Sequence, residues 1–178
     1  LDIHSTSQDV EPFWVYPGFE RNAVAALAIG RPAVHLVMPD GLGSGTPVIQ
    51  HGHFGQATGR GVGLVVECGQ HFLQSSSHVA IEVTRRFLAH FGLVEPDPQA
   101  PPAAPARRFE LLQTYVIKTP EFRFVRPCIG FEVFARGELI ATDGPDEIRA
   151  PCADCTVLMP ARAAIVGREG VYLARPLS

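Results

Sequence analysis

A chain of 178 residues, 46% hydrophobic and 19% charged, is long enough to bury a core as one domain, or as one domain with a small satellite. Its formal charge of −3, with Lys and Arg scattered singly, offers no basic stripe for a phosphate backbone and no like-charged block for a membrane surface, which excludes nucleic acid and membrane partners. No apolar run approaches the ~20 residues that span a bilayer and the start lacks the regions of a signal peptide, so the expected compartment is the cytoplasm.

Residues 1–3 read as a short apolar strand that delivers His4 and Ser5 to its end, which is where α/β folds place their chemistry. Residues 12–18, bounded by Pro12 and Gly18, read as a turn. Residues 20–28 are rich in helix formers and stop at Gly30, a suitable residue just past a helix end. Residues 33–38 form a buried strand pattern halted by Pro39-Asp40-Gly41. From Gly41 to Gly63 the chain is crowded with Gly, Thr and His and reads as active-site loop with a short helix, leading into a strand over 64–67.

Ser75-Ser76-Ser77 predicts a helix N-cap, after which Val79, Ile81, Val83, Phe87, Leu88 and Phe91 line a helix ended by Gly92. Five prolines among alanines then interrupt regular structure, giving a linker or wrapping loop. Beyond it, short apolar runs at 109–111, 114–117, 129–134, 139–140 and 156–159 are separated by Gly, Pro and Asp, the spacing of antiparallel strands. The expected division is residues 1–94 as an α/β domain, 95–108 as linker and 109–178 as a small all-β domain.

Several residues suit chemistry, each beside a plainer role. His4 offers an imidazole that suits zinc and equally an ordinary surface or buried histidine. Glu67 follows four apolar residues; a carboxylate at the end of a buried strand suits a general base acting on water, or a helix cap or an arginine partner. His71 suits ligation, titration or a simple hydrogen bond. His51 and His53 sit in the Gly-rich loop and suit a polar loop better than a metal pair. Arg60 has the donor fork to clamp a substrate carboxylate or to make a surface ion pair. Cys152-Ala153-Asp154-Cys155 has the spacing of half a zinc ribbon, but lacks a second pair and reads as a turn before a strand.

Leu1-Asp2-Ile3-His4-Ser5-Thr6, followed some sixty residues later by Val65-Val66-Glu67-Cys68-Gly69-Gln70-His71, resembles the succinylglutamate desuccinylase and aspartoacylase family, zinc-dependent amidohydrolases related in fold to the zinc carboxypeptidases. The resemblance implies a zinc-carboxypeptidase-like α/β sheet with flanking helices, present in part, followed by a small all-β C-terminal domain. It implies that His4 is a Zn2+ ligand, that Glu67 activates the attacking water, and that Ser5 lies near the substrate. Arg60 would take the carboxylate-binding role and Tyr172, in Glu169-Gly170-Val171-Tyr172, that of a substrate-contacting tyrosine.

One departure weighs against a working site: the family's His-x-x-Glu pair occurs nowhere in these residues, and hydrolytic zinc needs three protein ligands with an open fourth position. The expectation is therefore a chain that lacks an N-terminal segment and binds zinc poorly and is inactive alone. The implied activity of the intact protein is hydrolysis of the amide of a small-molecule N-acyl amino acid. A peptide-cleaving zinc carboxypeptidase and a non-catalytic binding module stand as alternatives. Self-association is left open, since the apolar strands of the second domain suit the first domain or a neighbouring copy.

Overall fold

The computed structural model describes residues 1–39 and 46–177, in two units: Leu1–Thr6 with Glu11–Arg108, and Ser7–Val10 with Phe109–Ser178. In the first unit the elements are β1 (Asp2–Thr6), β2 (Phe13–Tyr16), α1 (Glu20–Ile29), β3 (Val34–Val37), a 3-10 turn (Val48–Gln50), α2 (Gly52–Gly55), β4 (Val65–Gln70) and α3 (Gln74–His90). Its strands lie in the order β1-β4-β2-β3. β1 runs parallel to β4, β4 antiparallel to β2, and β2 parallel to β3, so the sheet is mixed.

β2 replaces the turn expected over 12–18. Phe13, Trp14, Val15 and Tyr16 are all buried; such bulky aromatic and β-branched residues fill a strand covered on both faces, and the flanking prolines only bound it. α1 ends as its sequence predicts, on Gly30 in the left-handed conformation, φ 78°. The glycine is required twice over, since a Cβ there would stand 2.5 Å from that of Ala103.

α3 departs from its expected cap. The N-cap is Leu73, with no side-chain capping bond, and Ser76 lies in the first turn, donating to the Gln70 carbonyl at 2.7 Å. Val83 is buried while Ile81 is 54% exposed, because two positions on a helix are separated by about 200°. The proline-rich stretch wraps rather than dangles. Arg86 donates to the Pro101 carbonyl, Arg31 Nε to that of Pro102 at 3.1 Å, and the Ala104 amide to that of Gly30 at 3.2 Å.

The second unit holds β5 (Arg107–Val116), β6 (Arg123–Phe124), β7 (Val133–Phe134), β8 (Leu139–Asp143), β9 (Asp146–Arg149), β10 (Cys155–Leu158) and β11 (Glu169–Leu177). β5 starts inside the stretch read as linker, and residues 7–10 group with this unit rather than with the α/β part. Two strand sets, β5-β11-β10-β7 and β6-β8-β9, enclose a core that includes Phe134, Ile140, Val157, Val171 and Leu173. Cys155 belongs to that core, where burial, followed by the neighbouring Cys152, pushes its thiol up to about 12. Among the described residues no helix is long and apolar enough to cross a membrane.

One buried polar group ties each unit together. In the second, Asp143 accepts from the Tyr115 hydroxyl at 2.9 Å, the Lys118 amide at 2.7 Å, and the amide and hydroxyl of Thr119 at 3.0 and 2.5 Å. Burial pushes its carboxyl up, but these donors outweigh burial and hold it below its usual value. Replacing Asp143 by Ala strands the two amides and the phenol, so urea unfolding of this unit should show a loss on the order of 3 kcal/mol.

In the first unit, His35 Nδ1 lies 3.0 Å from the Tyr16 hydroxyl. Burial lowers the imidazole pKa to about 4, the Pro32 backbone opposing and the Arg108 charge assisting. The folded state therefore keeps the ring neutral where the unfolded chain, near pH 6.5, already takes up a proton. Acid thus favours unfolding across this window. Stability should be highest above pH 6.5 and fall by up to about 3 kcal/mol as pH drops to about 4. Thermal melts across that range should show the slope, and a His35→Gln variant should flatten it.

Candidate functional site

The parallel pairing of β1 with β4 sets Asp2 against Val65, Ile3 against Val66 and His4 against Glu67. His4 and Glu67 thus lie within their strands rather than beyond the ends, and residues paired in register present their side chains on one face. His4 Nδ1 is 3.6 Å from Glu67 Oε1, and His4 Nε2 is 3.2 Å from Asp2 Oδ2. One imidazole therefore stands between two carboxylates. Asp2 stands two residues before His4, the spacing that places strand residues on a common face.

Glu67 is 8% exposed, and its Oε2 is buried without a hydrogen-bond partner. Burial raises its carboxyl above the ordinary carboxylate value; His4 opposes the rise and Asp2 adds to it. A carboxyl buried in this way holds a proton more tightly than one in water. The same burial, with the Glu67 charge second, pushes the Cys68 thiol up to about 11.

Past His4 the register shifts between β1 and β4, and Gly69 adopts φ 102°, a value that suits glycine. This bulge carries His71 to the edge where both parallel strands end. Its amide donates to the Thr6 carbonyl at 2.9 Å, and its Nδ1 lies 2.7 Å from Ser5 Oγ. Ser5 is thus paired with His71.

Arg60 is placed elsewhere. The loop that carries it leads into the start of β4, and among the described residues Arg60 makes no bond to His4 or Glu67; it lines a recess with His53, Thr58 and Gly61. The expected active-site loop is instead stapled to α1. Arg21 donates to the carbonyls of Gly61, Ala57, Phe54 and Gln56 at 2.9, 3.2, 3.0 and 2.8 Å, and Asn22 Nδ2 to that of Gly63 at 2.7 Å. His51 turns Nε2 to the Thr46 carbonyl at 3.1 Å, away from any pairing with His53. Residues 41–45 of the loop lie outside the described residues. Tyr172 belongs to the second unit, on β11 opposite Leu158.

A carboxylate beside an imidazole is a common way to orient a metal-binding histidine. The donor set is nonetheless short, because among the described residues no group of three or more His, Cys, Asp or Glu is arranged to hold a metal ion. Hydrolytic zinc needs three protein ligands, so these residues by themselves do not fit one.

No protein-family model and no curated protein matches the sequence. Solved structures do match. The succinylglutamate desuccinylase of Vibrio cholerae superposes with a TM-score of 0.70 at 15% identity, over 98% of this chain and 52% of that one. The succinylglutamate desuccinylase/aspartoacylase of Rhodobacter sphaeroides gives 0.65 at 18% identity, over 99% and 58%. The product-bound ectoine utilization protein EutE of Ruegeria pomeroyi gives 0.67 at 16%, over 99% and 57%. The chain spans little more than half the length of these proteins, and over that span it has the mixed α/β fold of the succinylglutamate desuccinylases and aspartoacylases.

Proposed function

We propose that the whole protein hydrolyses the amide bond of an N-acyl amino acid, and that Glu67 is the group that moves the proton. The observation that carries this reading is the Glu67 carboxyl, buried on β4 with one oxygen unpartnered and its pKa raised. A carboxylate in water is a weak base; one deprived of solvent and of compensating donors holds a proton more tightly. Glu67 accepts a proton from the water that attacks the acyl carbonyl and returns it to the departing amine. His4 stands beside it, 3.6 Å from Oε1. The fold shared with the desuccinylases supports the amide as the bond attacked, and the strand register supports Glu67 as the residue.

Zinc enters this reading through His4 as one ligand. The remaining ligands come from residues other than these 178, and the isolated chain is inactive. Calorimetric titration of the isolated chain should accordingly show no tight one-to-one zinc binding; a tight stoichiometric isotherm would refute this assignment.

In the whole protein, Glu67→Gln keeps the shape and removes the base. Turnover of N-acyl amino acids should fall on the order of a thousandfold with KM little changed. Near-normal turnover by this variant would rule out the mechanism. Assays of peptides alongside N-acyl amino acids separate the deacylase from a carboxypeptidase, since the proposal requires cleavage of the latter.

A further inference from the structure

The paired cysteines at 152 and 155 have no part in the reaction proposed above, and the fold sets them apart from the other thiols. Cys68, Cys128 and Cys155 are buried, and Cys152 alone is partly exposed. Cys155 opens β10 with its side chain wholly inside the core of the second unit. Cys152 packs against that core from the turn before it. One thiol of the pair thus meets solvent, and the other stands behind it.

The backbone between them brings the two within bonding reach. Ala153 and Asp154 form a turn, with Asp154 at φ 53°, a left-handed conformation that aspartate tolerates better than most side chains. A turn of this kind holds its first and last Cα atoms within about 7 Å, and a disulfide spans Cα atoms about 4.4–6.8 Å apart. The turn is fixed on both sides. Before it, the Ala150 amide donates to the Glu138 carbonyl at 2.9 Å. After it, the Thr156 hydroxyl donates to the Asp154 carbonyl at 3.2 Å, and Cys155 pairs with Phe134 of β7. Joining the two sulfurs therefore asks for side-chain rotation, with the strands left in place.

Burial also sets the order of events. The Cys155 thiol, held protonated by the core and by Cys152 beside it, is a poor first nucleophile. Cys152 is the thiol that a reagent reaches.

We propose that Cys152 and Cys155 form a reversible disulfide by exchange with a low-molecular-weight disulfide of the glutathione class. The Cys152 thiolate attacks one sulfur of the reagent, forming a mixed disulfide and releasing one small thiolate, which takes up a proton. Cys155 then gives up its proton and attacks the Cys152 sulfur, forming the internal disulfide and expelling the second small thiol. Two protein thiols are oxidised, and one small disulfide is reduced to two thiols. The second step is intramolecular, so the high local concentration of Cys155 offsets its small thiolate fraction.

The test incubates the reduced protein with oxidised glutathione, quenches it with acid and maps its peptides by mass spectrometry. The expected product is a peptide in which Cys152 and Cys155 have together lost two hydrogens, and dithiothreitol should restore both thiols. Cys155→Ala, which removes the second nucleophile and adds no polar group to the core, should instead accumulate a glutathionyl group on Cys152. In Cys152→Ser the Cys155 thiol should stay unmodified over the time in which wild type is oxidised. Wild-type protein that keeps both thiols, or that stops at a glutathionyl adduct on Cys152, overturns the proposal. A bond from either cysteine to a third one overturns it as well. The wild-type map decides the matter even where a variant fails to fold.

Discussion

The arrangement depends on the parallel register of β1 against β4. Side chains alternate along a strand with a period of two, so a slip by one residue would turn His4 to the face opposite Glu67 and leave it with Asp2 alone. The register is held by main-chain pairing at Asp2, Ile3 and His4 and by burial of Val65 and Val66 on β4. Beyond His4 the demand reverses: the strands must fall out of register for His71 to swing back over Ser5. The bulge and Gly69 at φ 102° supply that break. Regular pairing thus builds the carboxylate–imidazole contact, and an irregularity one residue later builds the Ser5–His71 contact.

Burying Glu67 with an unpartnered oxygen costs free energy that a purely structural residue would not demand. The neighbouring strand bears that cost. β2 pairs antiparallel with β4, setting Phe13 opposite Glu67 and Trp14 opposite Val66, and its four residues are buried. This apolar wall keeps β4 fixed and withholds solvent from the carboxylate. Stability supplied by β2 is spent in part on holding Glu67 in an unfavourable setting, the compromise found where function requires a strained or desolvated group.

Local signals were legible where a single residue type decides the outcome. The end of α1 at Gly30 and the buried strands β3 and β4 follow directly from glycine's freedom at positive φ and from apolar runs of strand length. β2 was hidden because its prolines carry a turn signal stronger than the four residues between them. The start of α3 was misread because three serines suggest a cap, whereas Leu73 occupies that position and Ser76 bonds the Gln70 carbonyl instead. The site divides in the same way. His4 and Glu67 were visible as strand residues with polar side chains, but the register that joins them is a property of pairing between segments sixty residues apart. Arg60 looked close to Glu67 in sequence, yet the direction of β4 carries the loop and the end of the strand to opposite edges.

The residues present separate two parts of the chemistry. The setting of Glu67 is made by β1, β2 and β4, all within the first unit, so its readiness to hold a proton is a property of these 178 residues. The metal is a separate matter: among the described residues no three His, Cys, Asp or Glu side chains are arranged to hold an ion, and the carboxylates of Asp2 and Glu67 face the two ring nitrogens of His4 instead of converging with it.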